Sequence, residues 1–233
     1  MPPSASGARI RAVLFDLDGT LWPSDPAHAA VNMEVLGRRG VTLSLDEYER
    51  RYTVYGDRDA FYHVSKDVLG EPLPPADLTE MEAEAERLFW DRMDDIPLYE
   101  GADDLVRSLR PAGFLVAIAS GSRTGQIARF LELKGMGDVF DAYVGADDTD
   151  EHKPKPAPYL EACRRLGVEP SRAVAVEDTV GGADAAISAG CAMVYGLPFT
   201  NATEGLLNGP ATCVVGSLPK LRTALLALRA EEG

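Results

Sequence analysis

Short apolar runs rich in Val, Ile, Leu and Ala recur along the chain and alternate with stretches of helical period. The runs are Ile10 to Phe15, Leu115 to Ala119, Ala142 to Gly145, Ala173 to Val176, Ala192 to Tyr195 and Cys213 to Val215. Such runs, separated by helical patterns, predict strands of a parallel α/β sheet. Between Leu21 and Leu98 the pattern changes to amphipathic helices, predicted at Ala27 to Arg39, Asp46 to Tyr52, Asp59 to Leu69 and Asp77 to Met93, with no comparable strand. An all-helical insertion of residues 22–97 is therefore expected within an α/β core formed by residues 1–21 and 98–233. Pro23 and Pro26 before the insertion and Pro97 after it suit linkers at a domain boundary. The acidic EMEAEAER stretch in the last of these helices reads as a solvated face.

Three of the apolar runs end in polar or acidic residues, as VLFDLD, VAIASGS and VAVEDT. In open α/β sheets ligands bind beyond the carboxyl ends of the strands, so these tails are where chemistry is expected. In DLDGT, Asp16 and Asp18 can share one pocket if the chain turns, and Gly19 permits the turn. One carboxylate can then serve as metal ligand and nucleophile while the other handles protons; an acidic solvent turn is the plain alternative. Ser120-Gly121-Ser122 offers hydroxyls and backbone amides at a strand-to-helix turn, suited to phosphate oxygens. Ser120 is the chosen ligand contact, and Ser122 reads more simply as a helix N-cap.

In HKPKPAPY the prolines are expected to hold the chain extended ahead of a helix and to fix a lysine, either Lys153 or Lys155. Glu177-Asp178, with Asp16, make an all-oxygen donor set suited to a hard cation such as Mg²⁺.

Composition limits the partners. Of 233 residues 45% are hydrophobic and 26% charged, enough for a packed core and too apolar for a disordered chain. The net charge of −14 disfavours nucleic acid and anionic membranes as partners. No segment reaches the about 18–20 continuous apolar residues of a membrane span. MPPSASGARIR reads as a frayed lead rather than a signal peptide. The three cysteines, Cys163, Cys191 and Cys213, are widely spaced and read as reduced, mostly buried thiols in a cytoplasmic protein.

Taken together and in order, VLFDLDGT, SGS, KPKP and VEDTVGGADAAISAG resemble the haloacid dehalogenase-like superfamily, in its β-phosphoglucomutase-like and phosphoglycolate-phosphatase-like group. The resemblance covers nearly the whole chain and implies a Rossmann-like doubly wound parallel sheet with an inserted all-helical cap domain. It implies that Asp16 is the nucleophile of an aspartyl-phosphate, and that Asp18 protonates the leaving oxygen and then activates water. Ser120 and the neighbouring amides of Leu17, Gly121 and Ser122 would hold the phosphoryl group. Mg²⁺ would lie among Asp16, the Asp18 carbonyl, Asp178 and Glu177. Register against the family's K-P-x-P pattern, counted back from Leu166-Gly167, places the neutralising lysine at Lys153, with Lys155 second.

In the insertion, His28 near its start and Arg58 in Tyr55-Gly56-Asp57-Arg58 are candidate substrate contacts, and Arg123 beyond the serine loop is equally a solvated arginine. The function implied is a Mg²⁺-dependent phosphatase acting on a small phosphorylated metabolite such as a sugar phosphate, as a monomer or weak dimer. A phosphomutase is the alternative enzyme, and a catalytically silent binding protein is disfavoured because nucleophile, acid/base and metal acids are all present. The acidic residues at the strand ends account for part of the −14, and a cation with Lys153 would make the pocket less negative than the surface.

Overall fold

The computed structural model describes residues 9–52, 55, 57–199, 205–206 and 209–230. Its chain separates into two compact units, Met1–Trp22 with Leu98–Gly233 and Pro23–Pro97.

The first unit is built on six parallel strands. They are β1 (Ala12–Phe15), β2 (Leu115–Ala119), β3 (Ala142–Val144), β4 (Ala173–Glu177), β5 (Met193–Gly196) and β6 (Cys213–Val214), in the order β3-β2-β1-β4-β5-β6. This is a doubly wound, Rossmann-like arrangement in which the chain winds outward in both directions from β1.

Period-two alternation within the buried strands explains the two packed faces. Ala12 and Leu14 of β1, Ala117 and Ala119 of β2, and Ala173 and Ala175 of β4 form one face. They pack with Tyr159 and Ala162 of α7 (Ala157–Leu166) and with Ala183, Ala185 and Ala186 of α8 (Val180–Ser188). Small side chains on both sides of this layer let the helices lie close to the sheet. Bulkier Val13, Phe15, Val116, Ile118, Val174 and Val176 alternate with them and are also fully buried. This unit also contains α5 (Ala102–Leu109), α6 (Thr124–Leu133) and α9 (Leu218–Ala230), with α5 packed against β2 and α9 against α5.

Register positions the functional ends. Phe15 pairs with both Ile118 and Val176, so the residues that follow β1, β2 and β4 emerge at one level. Trp22 packs within this unit, its ring 5.1 Å from that of Phe130.

The second unit contains α1 (Asp25–Arg38), α2 (Leu45–Arg51), α3 (Asp57–Leu69) and α4 (Pro75–Trp90), and among its described residues no strand. Two helices start earlier than the periodicity predicts because their prolines lie in the first turn, Pro26 in α1 and Pro75 at the start of α4, where a missing N–H breaks no bond. Asn32 joins three elements, its Nδ2 donating to Tyr48 Oη at 2.9 Å and to Asp57 Oδ1 at 2.7 Å.

No helix among the described residues is long and apolar enough to cross a membrane. The thiols differ from the expected mostly buried set, since Cys163 is buried, Cys191 half-buried and Cys213 exposed. Cys213 lies on β6, the outermost strand of the order.

Candidate active site

Asp16 follows β1 directly, and its N–H donates to Val176 O at 3.0 Å, so the sheet ladder continues through the residue that carries the carboxylate. The chain then folds back. Leu17 O accepts Leu21 N at 2.9 Å, and Gly19, at φ 75°, takes the left-handed conformation that the turn requires. The turn leaves Asp16 buried and Asp18 half-buried. The Leu17 side chain is buried in the core, so only its backbone is available to a ligand.

Asp16, Glu177 and Asp178 each place one carboxylate oxygen within 4.8 Å of the others, and all three are buried. Lys153 Nζ reaches into this group, 2.6 Å from Asp16 Oδ1 and 2.5 Å from Glu177 Oε1. Burial works against the ammonium, but Asp16 and Glu177 outweigh it and hold Lys153 above its ordinary value, so it stays charged. Asp16 stands well above the usual carboxylate range. Burial is the main cause, Lys153 pulls it down, and Glu177, Asp178 and Asp18 push it up again. One ammonium does not offset that many acids, and a hard divalent cation held by oxygen donors is the group whose chemistry completes the set.

The serine loop after β2 meets Asp18. Ser122 Oγ donates to Asp18 Oδ2 at 2.6 Å, Ser120 Oγ lies 3.4 Å from the same oxygen, and Ser122 N donates to Ser120 Oγ at 3.0 Å. The reading of Ser122 as a helix N-cap is therefore corrected: α6 starts one residue later than such a cap allows, its N-cap residue is Arg123, and the Ser122 hydroxyl bonds Asp18. Four of the five amides from 120 to 124 have protein acceptors, namely Val144 O, Ser120 Oγ, Gln126 Oε1 and Asp147 Oδ1. Of these five, only the Gly121 N–H has no acceptor among the described residues.

Asp16, Asp18, Ser120, Ser122, Lys153, Glu177 and Asp178 are thus brought together, and Lys155 is not: it is exposed and makes no ion pair among the described residues. Residues 151–156 turn instead of running extended, which separates the two lysines. His28 and Arg58 lie in the helical unit. The His28 ring stacks on Phe89 at 3.8 Å, and Arg58 Nη1 donates to Thr79 Oγ1 at 2.6 Å with Glu82 3.8 Å away. Gly56 of the same stretch lies outside the described residues. Arg123 is exposed, its N–H donating to Gln126 Oε1 at 2.8 Å.

Four residues of the site have no assigned role in the sequence reading. Tyr159 Oη donates to Glu177 Oε1 at 2.5 Å, and Thr179 Oγ1 lies 3.2 Å from Glu177 Oε2 while accepting Gly182 N at 3.1 Å as the N-cap of α8. Thr20 Oγ1 donates to Asp178 Oδ1 at 3.1 Å. Gly182 is needed for space, because a Cβ there would fall 2.0 Å from the Glu177 carboxylate. Only the Thr-x-x-Gly start of α8 carries a local signal, that of an N-cap.

Residues 10–190 match the family model of haloacid dehalogenase-like hydrolases. The fructose-1-phosphate phosphatase YqaB of Escherichia coli is 30% identical over 189 residues, 78% of this chain and 94% of that protein. Protein CbbY of Cereibacter sphaeroides is 32% identical over 189 residues, 78% of this chain and 81% of that protein. Among solved structures, CbbY from Rhodobacter sphaeroides in complex with phosphate superposes with a TM-score of 0.80 at 28% identity, covering 94% of this chain and 99% of that one.

Proposed function

Because the chain belongs to the haloacid dehalogenase-like hydrolases, we propose that it is a Mg²⁺-dependent phosphatase that releases phosphate from a small phosphate monoester of the sugar-phosphate class through an aspartyl-phosphate on Asp16. The observation that carries the reading is the position of Asp16, buried between the acids Glu177 and Asp178 with Lys153 on one side and the Asp18–Ser122 pair beside it. The relative named as a fructose-1-phosphate phosphatase supports the substrate class.

An Asp16 oxygen attacks phosphorus, and the bond from phosphorus to the ester oxygen breaks. That oxygen leaves with a proton from Asp18, whose side chain is held in place by Ser122 Oγ. Asp18, now a carboxylate, takes a proton from the water that attacks the same phosphorus, and the bond to Asp16 breaks to return the free carboxylate and inorganic phosphate. Ser120 Oγ and the Gly121 N–H donate to the equatorial oxygens, and Lys153 neutralises their charge throughout. Asp16, Glu177, Asp178 and the Asp18 carbonyl would hold Mg²⁺, which when bound supplies further charge neutralisation. The helical unit, Pro23–Pro97, is read as the cap that selects the ester, with His28 and Arg58 as its candidate contacts and Lys155 outside the reaction.

Phosphate release measured over a panel of sugar phosphates and other small monoesters tests the reading. Release with Mg²⁺ that stops on chelation supports it. A hexose 1-phosphate isomerised without phosphate release would assign a phosphomutase instead, and no turnover of any ester would reject both.

A further inference from the structure

The serine loop is fastened to a second loop, the one that follows β3. Ser120 N donates to Val144 O at 3.0 Å, and Ala146 N to Ser122 O at 2.9 Å. Thr124 N donates to Asp147 Oδ1 at 2.7 Å, while the Thr124 hydroxyl lies 2.7 Å from both Asp147 Oδ1 and Asp148 Oδ2. Asp148 is itself fixed, its Oδ2 accepting Gly145 N at 2.9 Å and its Oδ1 lying 2.8 Å from Arg165 Nη2. The loops approach so closely that a Cβ on Gly145 would fall 2.3 Å from Thr124 N.

These contacts occur where the loop's conformation is decided. α6 begins at Thr124, and its N-cap residue Arg123 has no side-chain oxygen with which to cap it, so the first amide is capped from the other loop by Asp147. Two residues before that amide, Ser122 fixes Asp18, and one residue earlier lies Gly121, whose N–H has no acceptor among the described residues. A slip at Thr124 would therefore move the amide, both serine hydroxyls and Asp18 together. Arg165 also belongs to α7, the helix that follows Lys153 and carries Tyr159, and it donates to Tyr143 O at 2.6 Å. Asp148 thus ties the lysine side of the site to the serine side.

We propose that Thr124, Asp147 and Asp148 form a clip that sets the Ser120–Ser122 loop where it receives a phosphoryl group, Thr124 being a positioning residue that touches no substrate. The proposal rests on the phosphate-ester reading above. A helix cap that served stability alone would shift the melting temperature and leave phosphate affinity unchanged.

Calorimetric titration of inorganic phosphate in saturating Mg²⁺, with phosphate-ester hydrolysis measured in parallel, compares wild type with Thr124→Val, which keeps the shape and removes the hydroxyl, and Thr124→Ser, which restores it. Thr124→Val is expected to weaken phosphate binding about tenfold and to lower kcat/KM by about tenfold to a hundredfold, the scale of an ångström-sized misplacement. Thr124→Ser should stay within about threefold of wild type, the range of a neutral change. Should Thr124→Val fail to fold, Asp147→Ala, which removes an exposed carboxylate, gives the same comparison. Wild-type phosphate affinity in the folded Val or Ala variant, or a wild type that binds no phosphate, would overturn the clip. The expected order of phosphate affinities without hydrolysis of any ester would uphold the clip and reject the phosphatase reading.

Discussion

The Tyr159 hydroxyl donates to Glu177 Oε1 at 2.5 Å while the face of the same ring lies 5.1 Å from Lys153 Nζ. Burial, Glu177 and Asp16 all raise Tyr159 well above its ordinary value, so it remains a donor at any working pH. Tyr159→Phe keeps the ring beside the lysine and removes the donor. A buried acceptor that loses a donor costs about 1–3 kcal/mol, so urea unfolding should show a loss of that size. Mg²⁺ affinity should weaken in the same variant, because Glu177 loses one of the three groups that orient it, keeping Lys153 and Thr179.

Gly181 and Gly182 are adjacent and should respond in opposite ways. A Cβ at Gly182 would meet the Glu177 carboxylate at 2.0 Å, whereas at Gly181 its nearest neighbour is Pro154 Cβ at 3.9 Å. Gly182→Ala is expected to destabilise by about 1–3 kcal/mol and to abolish turnover by displacing Glu177. Gly181→Ala is expected to be neutral or to stabilise by up to about 1 kcal/mol, since alanine favours the helix. Thermal unfolding of the two variants decides the point.

The two lysines of HKPKP give a similar contrast. Lys153→Met should lower kcat/KM by at least about a hundredfold, as for loss of a group that stabilises transition-state charge. Lys155→Met should lie within about threefold of wild type, because its side chain is exposed.

Cation binding should depend on pH through Asp16. Its folded value is raised above the unfolded value near 3.8, so between the two the folded, metal-free chain holds a proton that the unfolded chain has lost. Stability of the metal-free protein therefore falls as pH rises through that window. A bound cation must displace the same proton, so log Mg²⁺ affinity should fall with decreasing pH at a slope approaching about one per unit. Calorimetry across the window checks the slope, and a pH-independent affinity would contradict it.

Asp148 has the opposite sign. Burial raises it, but Arg165, the Gly145 N–H and the Thr124 hydroxyl bring it down to about 2, below its ordinary value of 3.8. Its contribution is present above the unfolded value and lost as pH falls from about 4 to about 2. Asp148→Asn should therefore lower stability at neutral pH by about 1–2 kcal/mol and flatten the acid limb of the stability curve.

Much of this arrangement was legible in the chain because strands and chemistry share one pattern. A buried parallel strand reads as an apolar run, and the polar residues that end it must emerge at the sheet's carboxyl edge, which located Asp16, Ser120 and Glu177 before any coordinate. Family register, which chose Lys153 over Lys155, agrees with the lysine found beside Asp16. Ser122 is not distinguishable from a cap in the sequence, because a serine before a helix has the same signature whether its hydroxyl caps the helix or crosses to a neighbouring loop. Tyr159 and Gly182 carry no such signature, since a tyrosine and a glycine on helices read as core and flexibility until the buried Glu177 they surround is in place. Pro26 and Pro75 moved two helix starts because proline punctuates a first turn as readily as a linker.

The central claim is that Asp16 is the nucleophile, and the rate of phosphate release by Asp16→Asn tests it most directly. With Mg²⁺ and an ester that the wild type hydrolyses, the variant should be slower by at least about a thousandfold, as expected for loss of a nucleophile. Phosphate release at a rate close to wild type would contradict the account.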